Sequence, residues 1–331
     1  MNSPPLSGPR CPRSRGLLRA AWALLLALGP GLAVHAAEPA APGADEDGVF
    51  ALGWLDQTQA FSSTRANALA QQLDRFFGVE RSDLEAAYSS LRLTVEGRWE
   101  EANAVEPRLR LRGRLHLPRI DERFSLIFSE DQGEGTSYYT QNPAFVEQQS
   151  TRVNLEVNLG EEGKDRWDFR VGLRSSGKLR TSMRYRYEDS LAENLFHRLS
   201  ETVYFIDGIG YGSFTQYQLD RSLSPSALLR WSTEFRAQES LDGNEWASSL
   251  SYLFRNSDSS GLSTFVGING NTRDSFVGRY QVGLRLRRNV ARPWLFWEFL
   301  PGYQWEKVSP LTPREGGIFA TLRLEMAIGV F

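Results

Sequence analysis

The sequence predicts an all-β protein, a transmembrane antiparallel up-and-down β-barrel of fourteen strands with a short helix before it. Three observations carry that expectation. Apolar and polar residues alternate with a period of two from Leu91 to the last residue, the chain opens with the build of a secretory signal, and aromatic residues gather near the ends of the alternating segments. Residues Pro107 to Leu117 show the alternation most plainly. Leu109, Leu111, Gly113, Leu115 and Leu117 share one face, while Arg108, Arg110, Arg112, Arg114 and His116 share the other.

Residues 1–36 are expected to be removed. Arg10, Arg13, Arg15 and Arg19 precede or punctuate an apolar stretch from Leu17 to Leu32, and Val34-His35-Ala36 suits a cleavage site, placing the mature start at Ala37. Arg19 and Pro30 interrupt that stretch, which therefore lacks the ~20 apolar residues of a membrane anchor. The single cysteine, Cys11, lies ahead of the stretch, so the mature chain has neither a disulfide nor thiolate chemistry. Residues 37–49, rich in Ala, Pro, Gly and acids, read as a flexible leader.

Residues 50–90 are expected to form a helical periplasmic cap or plug. Ser62 or Ser63 caps a helix whose apolar positions Ala66, Leu69, Leu73, Phe76 and Phe77 recur at helical spacing, and Gly78 is a natural stop. Phe50, Leu52, Trp54 and Leu55 cluster just before it. A lone helix of this length buries little by itself. It needs the lumen wall, the periplasmic mouth of the barrel or a partner.

Residues 91–331 supply the strands. The alternating segments are 91–100, 107–117, 123–129, 151–159, 166–174, 179–188, 198–206, 211–220, 227–237, 245–255, 261–269, 276–287, 294–306 and 317–331. The seventh and eighth, either side of Asp207-Gly208-Ile209-Gly210, have a poorly defined phase; losing or merging them gives twelve strands. Both numbers are even, as a single-chain bacterial barrel requires. Closure matters because an open edge in hydrocarbon leaves backbone groups unsatisfied. Trp99, Trp167, Tyr187, Tyr211, Trp231, Trp246, Tyr280, Trp294, Trp297, Tyr303 and Trp305 fall mostly near segment ends, where interfacial girdles would place them.

Charge excludes one class of partner. The formal net charge is −2, and removing the four arginines of residues 1–36 makes the mature chain more acidic still. Nucleic acid is not expected. Lysine occurs only at Lys164, Lys178 and Lys307, so nearly every base is arginine. That side chain pairs bidentately with carboxylates and phosphates, although a GC-rich genome gives the same bias.

The last strand carries a resemblance. Ile318, Ala320, Leu322, Leu324, Met326, Ile328 and Val330 alternate up to a terminal Phe331. This resembles the C-terminal signal of bacterial outer-membrane β-barrel proteins, an amphipathic strand with an aromatic end that the barrel-assembly machinery recognises. Phe331 is one residue out of phase with the apolar series; a bulge near Gly329 restores it, or the signal is imperfect. The chain is also similar to proteobacterial outer-membrane proteins with a Pro-Trp-Leu-Phe stretch before a penultimate strand, here Pro293 to Phe296. The resemblance implies the barrel, an outer-membrane location in contact with lipid, and the assembly machinery as a partner. It transfers no functional residue.

The expected function is a passive channel. Inward positions Arg92, Arg108, Arg110, Arg112, Arg114, Arg170, Arg184, Arg186 and Arg285 line the lumen, and a ring of arginine favours small anions. Arg98, Arg152, Arg174, Arg180, Arg230, Arg236, Arg279, Arg287 and Arg323 share that phase. Glu96, Asp168, Glu188, Glu234, Glu298 and Glu325 can also point inward, and pairing them with the arginines would fill a narrow interior. A scaffold whose helix docks a periplasmic partner is one alternative. An outer-membrane lipid-modifying enzyme is another, but no catalytic constellation is recognisable: only His116 and His197 remain after signal removal, and neither sits in a His-x-Ser-Asn pattern. No cofactor is expected, and no cluster has metal-ligand spacing; Glu130, Asp131 and Glu134 read as a solvated acidic loop.

Overall fold

A computed structural model describes residues 67–74, 76–77, 90–101, 103–116, 124–130, 151–162, 164–174, 177–290 and 292–329. The expected signal and leader, the start and stop of the helix, and Phe331 lie outside the described residues.

The alternation is realised as fourteen antiparallel strands. They are β1 (Ser90–Glu100), β2 (Asn103–His116), β3 (Phe124–Glu130), β4 (Thr151–Glu162), β5 (Asp165–Arg174), β6 (Leu179–Ala192) and β7 (Leu195–Ile206) in the first half. The second half holds β8 (Gly210–Ser224), β9 (Ala227–Gln238), β10 (Glu245–Ser257), β11 (Ser260–Asn271), β12 (Arg279–Val290), β13 (Arg292–Glu306) and β14 (Glu315–Gly329). Each strand pairs with its sequence neighbours, and β14 pairs with β1 from Ser90 opposite Gly329 to Glu100 opposite Phe319. The sheet is thereby a closed barrel, with no edge left to meet hydrocarbon.

Period-two geometry turns this barrel inside out relative to a soluble protein. Leu109 is 59% exposed and Leu322 also 59%, with Leu173, Val203, Val266 and Leu324 exposed on other strands. Buried positions are mostly polar or charged, among them Glu96, Asp168, Arg230, Arg285, Glu298 and Glu325. An apolar outside and a charged inside is the polarity of a membrane-spanning barrel. Among the described residues no helix is long and apolar enough to cross a membrane.

Connection lengths differ between the two ends for most strand pairs; the exceptions are the seven-residue link after His116 at the end holding Ser90 and the two-residue link after Glu100 at the other. At the end holding Ser90 and Gly329, the terminal end, the links after Glu162, Ala192, Ser224, Ser257 and Val290 are two residues or fewer. The links at the far end are longer after Gln238, Asn271 and Glu306. Trp99, Tyr211, Trp246, Tyr280 and Trp305 stand near the far end, and Trp167, Tyr187 and Trp297 near the terminal end, giving two girdles. Trp294 differs from expectation: it shares the inward phase of Phe296 and Glu298 and lies exposed at the terminal end.

The two strands of undefined phase are present, and the reason for the ambiguity is visible. Phe196, Tyr204, Ile206 and Phe214 face inward beside Arg198, Thr202 and Asp220, so the inner face of β7 and β8 is itself partly apolar. Fourteen strands, not twelve, result. The expected twelfth segment starts three residues late, at Arg279, and the backbone carbonyls just before it accept from Arg314 and Lys307. Arg314 donates to the carbonyls of Val277 (2.6 Å) and Gly278 (3.3 Å), and the Lys307 amide donates to Gly278 (2.7 Å).

Candidate functional site

Register brings inward charges of opposite sign into rows. Arg287 stands opposite Glu298, Glu298 opposite Arg323, Arg323 opposite Glu96, and Glu96 opposite Arg108, across five strands from β12 to β2. Arg323 reaches Glu96 through Nε (2.9 Å) and Nη2 (2.5 Å), and Arg110 reaches the same carboxylate at 3.3 Å. Arg285 holds Glu298 with two hydrogen bonds (2.6 and 3.0 Å), and Arg287 pairs with Glu298 and with Glu325 (2.8 Å). Arg92 lies 3.5 Å from Glu325. Alternating signs give the buried charges of this row counter-charges, which a low-dielectric interior demands.

The helix α1 (67–74 and 76–77) packs on inward residues of β9 to β13 near the terminal end. Leu69, Ala70, Leu73, Phe76 and Phe77 form one buried cluster with Leu228 of β9 and Leu253 of β10, and Phe296 of β13 packs against it. The Phe76 ring meets Phe77 at 5.2 Å and Phe296 at 6.3 Å, both edge to face. Gly261 of β11 makes room: a Cβ there would sit 2.5 Å from the Phe76 ring and 2.8 Å from the Phe77 ring. Two arginines add polar contacts. Arg230 donates to the Asp74 carboxylate, and Arg285 donates to the backbone carbonyl of Phe77. Asp74 is fully buried.

Farther from the terminal end the same wall is filled by its own side chains. Phe265, Leu300 and Phe319 form an inward cluster. It rests on two glycines, since a Cβ on Gly283 would lie 2.5 Å from the Phe265 ring and one on Gly302 would lie 2.3 Å from the Phe319 ring. The Arg98 guanidinium stacks over Phe319 at 4.6 Å.

The wall from β2 to β6 is different. Its described inward side chains include Arg108, Arg110, Arg112, Arg166, Arg170, Arg180, Arg184 and Arg186 against Glu156, Asp168 and Glu188. Arg170 donates to Glu156, Arg166 to Asp168 (3.2 Å) and Arg184 to Thr202 (3.1 Å), while Arg186 lies 3.9 Å from Asp168. Arg180 stacks over Tyr204 at 4.7 Å. The Arg110 side chain is 17% exposed where that of Arg285 is 1%. Outside the spanning segments, at the turn between β4 and β5, Lys164 donates to Asp189 (2.7 Å), and that hydrogen bond holds its ammonium pKa above the ordinary value.

The expected lumen residues thus divide. Arg108, Arg110, Arg112, Arg170, Arg184 and Arg186 belong to one wall, Arg92 and Arg285 to the seam and helix side; the Arg114 side chain lies outside the described residues. Glu96, Asp168, Glu234, Glu298 and Glu325 face inward as expected and are buried, and Glu188 faces inward beside Arg198. Sequence reasoning missed Asp74, Asp220, Leu228, Leu253 and Gly261. Asp220 was hidden by the phase of β8, and Leu228 by reading every strand as polar inside; Asp74, a lone acid between Leu73 and Phe76, was the one legible signal. His197 lies on the outer face of β7 with its ring 5.7 Å from Tyr187 and 5.9 Å from Tyr217. Among the described residues no three His, Cys, Asp or Glu side chains are grouped to hold a metal ion.

No protein-family model matches this sequence, and no curated protein matches it by sequence. Solved structures with a similar chain path are outer-membrane barrels. OccK11 (OpdR) of Pseudomonas aeruginosa is 11% identical at a TM-score of 0.44, the match covering 74% of this chain and 96% of that one. OmpT of Vibrio cholerae is 9% identical at 0.43, covering 72% and 97%. An anion-selective porin from Comamonas acidovorans is 9% identical at 0.42, covering 73% and 99%.

Proposed function

We propose that this protein is a porin-like channel of a bacterial outer membrane that passes small anions along the wall from β2 to β6, with α1 seated as a plug against the opposite wall. The observation that carries this reading is the unequal exposure of two sets of arginine. Those beneath or beside α1, Arg230, Arg285 and Arg287, are buried in ion pairs with Asp220, Glu298 and Glu325. Arg108, Arg110, Arg112, Arg170 and Arg184 keep part of their surface open, and among the described side chains of their wall eight arginines face three acids. In the strand order β4 and β11 are farthest apart, so the open wall and the helix seat stand across the lumen from each other. An excess of fixed positive charge along a water-filled path lowers the barrier for anions and raises it for cations.

Five of the six connections at the terminal end are two residues or fewer, which fits the periplasmic side and sets α1 at the periplasmic mouth. The apolar outer face meets outer-membrane lipid, and the amphipathic β14 is the element offered to the barrel-assembly machinery. The test is a planar-bilayer recording of the purified full-length protein in a salt gradient. A reversal potential showing chloride preferred to potassium supports the reading. Cation preference, or no conductance from either the intact protein or a variant with the helix unseated, overturns it.

A further inference from the structure

We propose that the seat of α1 is a binding site for a solute carrying one carboxylate on an apolar body, and that the helix occupies it as an internal competitor. The proposal rests on the channel reading for its setting but on separate observations for its chemistry.

The seat combines an apolar floor with two wall-held arginines. Leu228 and Leu253 are fully buried inward leucines on strands whose other inward residues include Arg230, Ser232, Glu234, Ser249 and Ser251. They form an apolar floor, and Gly261 deepens it where the Phe76 and Phe77 rings enter. Beside this floor stand two arginines fixed by the wall. Asp220 holds Arg230 through Nε (2.8 Å) and Nη2 (2.9 Å), which leaves Nη1 directed at Asp74. Glu298 holds Arg285 in the same two-pronged manner, and Arg285 Nη2 also reaches the Phe77 carbonyl. The helix therefore presents a carboxylate, a carbonyl and an apolar surface to a wall that is complementary to all three.

The wall keeps its own ion pairs without the helix. Asp220 still holds Arg230, and Glu298, which Arg285 shares with Arg287, still holds Arg285. Lifting α1 therefore leaves both guanidinium groups with a carboxylate partner, and Asp74 passes to water, where a carboxylate is well solvated. A contact with that property can be exchanged for another ligand. What remains open after exchange is a guanidinium N–H next to an apolar pocket, which suits a carboxylate with an aliphatic or aromatic body. Inorganic anions lack the apolar part, and alcohols lack the charge.

The test follows the helix in the full-length barrel in lipid nanodiscs. An environment-sensitive fluorophore is attached at Gln72→Cys, an exposed helix position, in a Cys11→Ser background. Octanoate should release the label to water while octanol and acetate at equal concentration do not. Asp74→Asn leaves every wall residue in place and removes one charge-assisted hydrogen bond, so it should lower the octanoate midpoint by roughly tenfold. Equal release by octanol would show partition into lipid and overturn the site, as would a label that octanoate never moves or an Asp74→Asn midpoint that does not fall. Conductance is recorded separately: an anion-selective barrel whose label stays put defeats the site alone, and a label that octanoate releases in a barrel that never conducts defeats the channel alone.

Discussion

Glu96 on the first strand accepts two hydrogen bonds from Arg323 on the last, Nε at 2.9 Å and Nη2 at 2.5 Å, and so bridges the seam where the two ends of the barrel meet. The carboxylate is buried and also serves Arg110 of β2. One acid thereby ties the closing strand to the first two.

Replacing that acid tests the seam. Glu96→Leu leaves the buried Arg323 and the partly exposed Arg110 around an apolar side chain, and removing one partner of a buried pair costs about 3–5 kcal/mol. The folded barrel should lose its distinct electrophoretic mobility at a lower temperature than the parent. The pair Glu96→Leu with Arg323→Leu should recover part of the loss, because the buried arginine goes with its acid and only the partly exposed Arg110 has lost that partner.

Seating of the helix can be blocked without touching the helix. Gly261→Val places side-chain atoms where the Phe76 and Phe77 rings now lie, 2.5 and 2.8 Å from the new Cβ. The strand keeps its backbone and its ladder with β10 and β12. Single-channel conductance should rise several-fold with the barrel still folded. A smaller effect than that of Gly267→Val, higher on the same strand, would argue against α1 as the obstruction.

Selectivity should follow the open wall. Arg108, Arg110 and Arg112 occupy successive inward positions of β2, roughly 7 Å apart, and their field is screened over about 8 Å at physiological salt. Arg110→Glu with Arg112→Glu should weaken or reverse chloride preference, and the shift should shrink as ionic strength rises. An unchanged reversal potential would place the narrowest point elsewhere.

The glycine-seated cluster in the upper wall makes a packing prediction. Gly302→Val would drive a Cβ to 2.3 Å from the Phe319 ring and 2.7 Å from the Val282 carbonyl. Overpacking of this kind costs typically 1–3 kcal/mol. The unfolding midpoint in urea should fall, while Phe319→Ala combined with Gly302→Val should unfold closer to the parent.

The alternation of β1, β2 and β14 was legible residue by residue, since a period of two leaves one face for lipid and one for the lumen whatever the neighbours are. Barrel class and the inward phase of Arg108, Arg110 and Arg112 follow from that periodicity, which left fourteen and twelve strands both open. The inner face of β7 escaped it because Phe196, Tyr204 and Ile206 break the contrast between faces. Alternation also says nothing about what stands opposite across a closed ring. Register paired Glu96 with Arg323 across 227 residues and set Asp74 against Arg230 across 156. Periodicity assigns a side chain to the lumen, but the charge it meets there depends on which strands become neighbours and on where the helix comes to rest. For this chain, then, the sequence by itself determined the barrel and the inward phase of arginines such as Arg108, Arg110 and Arg112, and the tertiary structure decided which arginines are buried in ion pairs beneath the helix and which keep part of their surface exposed.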